Sequence, residues 1–192
     1  MRLLDRTASR LPQPLRTVVD WTLTIAVACA VVLGLEAEVA KPYRIPSSSM
    51  EPTLHCARPA SGCSSRFNDR VIANRLAYRF GEPKRGQIVV FEAPAAADRM
   101  CGLGGTYVKR LIGLPGDVVS EADGVLSVNG RVVSEPYVDL ANRDHESGEW
   151  RVPKGHYFFM GDNRTHSCDS REWGSVPRSD LIGPVLVKYW PP

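Results

Sequence analysis

From Val18 to Leu35 the chain is apolar on every face that a helix would present, and beyond residue 40 its apolar positions come in short bursts. Between Trp21 and Leu35 nothing is charged, and Thr22 and Thr24 are the polar side chains. As a helix, Val18–Leu35 covers about 27 Å, close to the ~30 Å hydrocarbon core of a bilayer. Arg2, Arg6, Arg10 and Arg16 precede the run, Pro12 and Pro14 argue against one long helix before it, and Glu36 and Glu38 close it. Basic flanks stay in the cytosol, so the pattern predicts a cytosolic segment 1–17, a single-pass anchor 18–36 and an extracytoplasmic domain 37–192. A buried core helix fits poorly with a terminal run that is apolar all round. A cleaved export signal would need small residues at −1 and −3; cutting after Ala40 puts Glu38 at −3, and cutting after Ala37 puts Leu35 there. Neither fits, so the anchor is expected to stay.

The remainder reads as β structure. Val71–Ala73, Ile88–Phe91, Tyr107–Val108, Asp117–Val119, Tyr157–Met160 and Val185–Tyr189 are predicted strands. The strongest local signal is Val125–Val133, where alternating apolar residues flank Asn129-Gly130, a pair suited to the positive φ angles of a two-residue hairpin turn. With Asp123-Gly124 upstream, residues 117–133 read as a three-stranded meander, and about 117–146 as a meander with a loop extension. No stretch after residue 40 keeps a helical period over ten residues. Residues 92–105, with three consecutive alanines among glycines and prolines, are expected to form a flexible surface loop. The predicted fold class is mainly β: an antiparallel domain behind one N-terminal transmembrane helix.

Composition narrows the function. At 192 residues with 43% hydrophobic and 23% charged, the chain is a folded domain with an appendage, and its 16 glycines and 15 prolines suit turns and short strands. A net charge of +3 with no long basic run excludes nucleic acid as a partner. Export places Cys56, Cys63, Cys101 and Cys168 in an oxidising compartment, where three pairings are open. The short separation of Cys56 and Cys63, through Pro59 and Gly62, favours that pair. Cys-x-x-Cys and His-x-x-x-His spacings do not occur, so neither metal nor cofactor is expected.

Three segments carry candidate chemistry. In Ile45–Leu54, Pro46 and Pro52 bracket Ser47, Ser48 and Ser49. In Tyr107–Asp117, Lys109 sits in a strand pattern before a Gly-Leu-Pro-Gly turn; lysine is the minority cation of this arginine-rich chain. In Gly161–Arg171 a turn-rich stretch holds Asp162, Asn163, Ser167, Asp169 and Arg171, with too few spaced carboxylates for a calcium loop. Each alone is an ordinary polar loop or edge strand. Together and in this order they closely resemble the bacterial type I signal peptidases, membrane-bound serine proteases with a serine–lysine pair. The resemblance runs from the anchor to Tyr189-Trp190, and the Ser-Met-x-Pro-Thr-Leu, Lys-Arg-x-x-Gly-x-Pro-Gly-Asp and Gly-Asp-Asn-x-x-x-Ser-x-Asp-Ser-Arg strings match in full. Two further family strings match less well, with Asn68 where glycine is usual and Gln87 where aspartate is favoured.

That resemblance implies a signal-peptidase-like, partly coiled barrel. It makes Ser49 the nucleophile and Lys109 the general base, with the Ser47 hydroxyl and the Ser49 N–H facing the oxyanion. Ser167 would orient Lys109, with Asp169 and Arg171 as a supporting ion pair. Tyr43, Ile45, Met50, Leu54, Tyr107 and Val108 match positions lining shallow pockets for small side chains at −1 and −3 of the cleaved bond. The implied partners are preproteins bearing signal peptides and the lipid bilayer, with the chain itself a monomer.

The chemistry sets its own demand. A serine hydroxyl needs a nearby base, and an ordinary lysine is almost wholly protonated at neutral pH. The Lys109 pKa must fall by roughly three units, which burial can supply; Val108, Leu111 and Ile112 are the expected dry setting. Ser49 follows Glu36 closely enough to lie within about 45 Å of the bilayer even on extended chain. Two rivals remain: a His-dependent serine protease built on His166 beside Ser167, and a membrane-tethered β-domain that binds a partner and cleaves nothing. Self-cleaving repressors share the serine–lysine pair, but would carry a DNA-binding domain in place of the anchor.

Overall fold

The computed structural model describes residues 12–102 and 104–191, and the chain divides after Val39 into two compact units. The first unit contributes one helix, α1 (Gln13–Val39), about 40 Å long at 1.5 Å per residue. It starts earlier than the apolar run because Pro14 falls in its first turn, where a missing N–H costs nothing. Leu15, Val18, Val19, Trp21, Leu23, Ile25 and Val27 are all exposed on it. Its two threonines bond to the helix's own carbonyls, Thr22 to Val18 O and Thr24 to Asp20 O, so neither hydroxyl depends on water. Among the described residues no helix is long and apolar enough to cross a membrane. The expected anchor 18–36 includes residues 31–33, 35 and 36, whose side chains lie outside the described residues.

The second unit is built of antiparallel sheets. Seven strands form one sheet in the order β1-β2-β11-β3-β4-β9-β10. They are β1 (Ala40–Arg44), β2 (Arg70–Asn74), β3 (Ile88–Glu92), β4 (Thr106–Gly113), β9 (His156–Met160), β10 (Val176–Pro177) and β11 (Leu181–Trp190). A smaller sheet runs β7-β6-β5-β8, from β5 (Val118–Ala122), β6 (Val125–Val128), β7 (Arg131–Val132) and β8 (Gly148–Arg151). Its hairpins turn where the sequence supplies residues tolerant of positive φ: Asp123 and Gly124 at 48° and 71°, Asn129 and Gly130 at 53° and 75°. Strands β1, β8 and β10 carried no strong sequence signal, because each is short or lies at a sheet edge with few apolar residues.

Short helices α2 (Ala77–Phe80), α3 (Ala95–Cys101) and α4 (Ser170–Trp173) complete the described elements together with 3-10 turns, one of them Ser48–Met50. Helix α3 corrects the expectation of a loop over 92–105. Ala95, Ala96 and Ala97 are strong helix formers, Pro94 precedes them in extended conformation, and Gly102 ends the helix at φ 67°.

Packing explains the order of the elements. Val89, Phe91, Leu111, Tyr157, Phe159, Trp173 and Val176 form one core, in which the Phe91 and Phe159 rings stack at 4.4 Å. A second core joins Ile112, Phe158 and Met160 of the large sheet to Val119, Leu126 and Val128 of the small one. Gly113 sits between them, where β4 shifts register against β9. A Cβ there would stand 2.8 Å from the γ-methyls of Val119 and Val152 and 2.9 Å from Phe158 Cβ. Gly113→Ala is therefore expected to cost about 1–3 kcal/mol and lower the thermal midpoint by about 5 °C, read by near-ultraviolet circular dichroism.

Candidate active site

The three chemistry-bearing segments, distant in sequence, meet around β4 of the large sheet. Ser47, Ser48 and Ser49 lie at a 3-10 turn between β1 and β2, Lys109 lies in the middle of β4, and residues 161–171 form the loop from β9 into α4. Strand β4 and the 161–171 loop both pack against the serine turn. The turn is pinned by hydrogen bonds from that loop: Asn163 N donates to Ser49 O at 3.1 Å, and Asn163 Nδ2 to Ser48 O at 3.1 Å. Gly161 lets the two pieces close, since a Cβ on it would fall 2.2 Å from Ser167 Oγ and 2.4 Å from Ser49 O.

Lys109 is only 4% exposed. Strand alternation puts Tyr107 and Leu111 on its side of β4, and the fully buried Val89 faces it across the register from β3. This corrects the expected dry setting: Val108 and Ile112 point to the opposite face, where they join two other cores. The lysine Nζ lies 5.9 Å from the centre of the Tyr107 ring. Burial pushes the amine's pKa down to about 8; Arg171 adds to the fall, while Asp169 and Asp162 oppose it.

The amine has a defined direction. Lys109 Nζ donates to Ser167 Oγ at 3.0 Å, and Ser167 Oγ donates to Asp169 Oδ2 at 2.7 Å. Asp169 Oδ2 also accepts from Gly161 N and Arg171 Nη2, each at 3.0 Å, while Oδ1 accepts from Arg171 Nε at 2.9 Å. Burial alone would raise the Asp169 pKa; the bond and charge of Arg171, the charge of Lys109 and the Gly161 N–H reverse that and hold the carboxyl below its usual range. It is a fixed carboxylate. Ser49, 9% exposed, shares a hydrogen bond with Ser47 through their hydroxyls at 3.3 Å.

Of the six expected pocket residues, Tyr43, Ile45, Met50, Leu54 and Val108 share one apolar cluster with Val71, Ile88 and Val185. Tyr107 packs instead with Phe91 and Trp173, its ring 6.2 Å and 6.3 Å from theirs. Cys56 is disulfide-bonded to Cys63 and Cys101 to Cys168, so the residue after Ser167 is tied to the end of α3. The loop closed by the first bridge rests on the serine turn: a Cβ on Gly62 would stand 2.7 Å from Ser48 Oγ.

Histidine has no comparable placement. His166 pairs its Nδ1 with Thr165 Oγ1 at 2.9 Å, and His55 turns its Nδ1 to Glu51 and Ser64. Among the described residues neither imidazole is hydrogen-bonded to Ser47 or Ser49.

Sequence reasoning passed over a second ion pair. Arg110, on the face of β4 opposite Lys109, grips the buried Asp162 with two bonds, Nε to Oδ1 at 2.8 Å and Nη2 to Oδ2 at 2.6 Å. Its guanidinium also lies 3.8 Å from the Tyr137 ring centre, and Thr53 Oγ1 donates to Asp162 at 2.5 Å. Asp162 thus links all three strings. The signal was present, since both partners sit inside matched strings, but no periodicity says which arginine meets which carboxylate.

Known proteins place the chain. The family model described as signal peptidase, peptidase S26, matches residues 18–190. A probable signal peptidase I-2 from Synechocystis is 39% identical, covering 93% of this chain and 76% of that protein. Signal peptidase I of Leptolyngbya laminosa is 37% identical over 88% of this chain and 77% of its own length. Signal peptidase I of Mycobacterium tuberculosis is 33% identical over 94% and 76%. With a family match across nearly its whole length and relatives 33–39% identical, the chain belongs to the signal peptidase I family of peptidase S26, serine endopeptidases that remove signal peptides.

Proposed function

We propose that Ser49 is the nucleophile and Lys109 the general base of this peptidase, the observation carrying the reading being a buried lysine aimed by Ser167 beside a serine turn. With Lys109 uncharged, the Ser49 hydroxyl gives its proton to Nζ as Oγ attacks the carbonyl carbon of the scissile bond. The resulting oxyanion is met by the Ser47 hydroxyl and the Ser49 N–H, two donors that the same turn carries. As the bond to nitrogen breaks, Lys109 returns that proton to the departing amine, leaving an acyl group on Ser49. Water then attacks the ester, Lys109 takes its proton and passes it to the departing Ser49 Oγ, which frees the carboxyl product and restores both the hydroxyl and the uncharged amine. Lys109 bonds Ser167, and its bond to Ser49 is one that tightens in the complex with substrate, as is common for catalytic hydrogen bonds.

Ser167 supplies direction. A lysine stem has four rotors, and an amine without a fixed partner seldom points at one hydroxyl. Asp169 holds Ser167 as an acceptor toward Lys109 and is itself held by Arg171. Substrate specificity is ascribed to the apolar cluster of Tyr43, Ile45, Met50, Leu54 and Val108, with Tyr107 on the other face of β4, as the surface that takes small residues at −1 and −3.

The reading extends to location. An all-round apolar run with exposed valines, leucine, isoleucine and tryptophan, its threonines bonded internally, suits lipid rather than water. The chain is read as monomeric and single-pass, N-terminus in the cytosol and residues 37–192 outside, cutting preproteins whose signal peptides occupy the same bilayer. The partly coiled barrel of the family is the form ascribed to the larger unit.

Three measurements test this. Ser49→Ala and Lys109→Ala are expected to lower cleavage of a small-x-small signal-peptide substrate at least about a thousandfold. Lys109→Arg should be equally inactive, since guanidinium stays protonated; appreciable turnover by either lysine variant removes Lys109 as base. For the wild type, kcat/KM should rise tenfold per pH unit on the acid side and level off near pH 8, because only the uncharged amine accepts a proton.

A further inference from the structure

The small sheet places carboxylates beneath the loop that aims Lys109. Alternation along β5 buries Val119 and turns Glu121 inward with it, to 3% exposure. Glu121 Oε2 lies 3.5 Å from Arg171 Nη1 and Oε1 lies 3.7 Å from Arg164 Nη1, while neither oxygen accepts a hydrogen bond among the described residues. Asp144, after β7, accepts a hydrogen bond from the same Arg171 Nη1, and Glu146 Oε2 is 3.7 Å from it. Glu121, Asp144 and Glu146 thus bring carboxylate oxygens within 4.8 Å of one another, and the cation among them is the Arg171 guanidinium. Arg164 is fixed by Glu135 and donates from Nε to Gly161 O at 3.0 Å.

We infer that Glu121 is a positioning residue for Lys109, acting through Arg171, Asp169 and Ser167. The inference rests on Lys109 being the base. Arg171 is a rigid fork with one edge on Asp169 and the far nitrogen on Glu121 and Asp144. A fork held at both ends fixes the Asp169 carboxylate, which fixes the proton of Ser167 and so leaves its lone pair toward Lys109. Charge acts along the same line. The groups facing Glu121 are Arg171, Arg164, Asp144, Asp169 and Glu146. Removing its negative charge leaves Arg171 less compensated in a dry interior, which disfavours a positive charge on Lys109. Burial pushes the Glu121 pKa up to about 7, against the pull of Arg171, so the carboxylate is mostly charged at the Lys109 midpoint near 8 and loses that charge on the acid side of it.

The test is the pH profile of kcat and KM for the full chain in detergent, with a small-x-small signal-peptide substrate. Glu121→Gln is expected to leave KM unchanged, lower the plateau kcat about tenfold, and move the acid limb down by about half a pH unit. Glu121→Asp keeps the charge and should keep the wild-type midpoint. A Glu121→Gln profile with the wild-type midpoint, whatever its height, overturns the proposal, because a purely structural defect lowers the curve without moving it. If Glu121→Gln fails to fold by circular dichroism, Asp144→Asn, which removes the other charge on Arg171 Nη1, takes its place with the same expected shift and the same overturning result. Lys109→Ala in the same assay separates the two claims. Retained cleavage there removes the base assignment, whereas an inactive Lys109→Ala beside an unmoved limb removes only Glu121.

Discussion

One amine kept out of water organises the catalytic unit. Lowering a lysine from 10.5 to about 8 means that the folded protein holds its charged form about 3 kcal/mol less favourably than the unfolded chain does. That cost is present in full below about pH 8 and fades as pH rises toward 10.5, where the unfolded lysine also loses its proton. A fold that carries such a cost needs the surrounding apolar strands to exceed it. Val89, Leu111, Phe91 and Phe159, all without solvent exposure, are packed around that part of β4.

The polar groups around the amine hold one another in place. Asp169 accepts bonds on both oxygens and stays ionised beside a lysine that is easily neutralised. Opposite pressures on two neighbouring groups arise from what each touches: the carboxylate has a guanidinium and an N–H, the amine one hydroxyl. Asp162 does the same on the other face of β4, holding Arg110 and Thr53 and so joining the lysine strand to the serine turn. Two ion pairs, one on each side of a single strand, keep Lys109 in register with Ser49.

The parts of the molecule legible in the sequence were those with a local cause. The turns at Asp123-Gly124 and Asn129-Gly130 follow from residues that accept positive φ, and β3 and β9 from runs of β-branched and aromatic side chains. Helix α3 was misread because glycine and proline at its ends resemble a loop, although they are its boundaries. The dry side of Lys109 was misassigned because adjacency in sequence is not adjacency in a strand: Val108 and Ile112 face away. Lys109, Ser49 and Ser167 were singled out by the order of three strings, but nothing local marks Glu121. Its one signal is a charge at the inward position of β5, and the arginines that justify it come from a loop more than forty residues later. Ion pairs between distant segments have no period to read.

Ser167 stands 58 residues beyond the lysine it meets, and Gly161 must seat against Ser49 before either is fixed. Contacts of such long range form late in folding. A chain still emerging, whose 161–171 segment has yet to fold, therefore has a serine turn not yet pinned and an amine with no partner to aim it. On the assignment above, the protease is silent while its own chain is being made. It gains the ability to cut only when the 161–171 segment closes over the serine turn, so activity is the last property that the fold acquires.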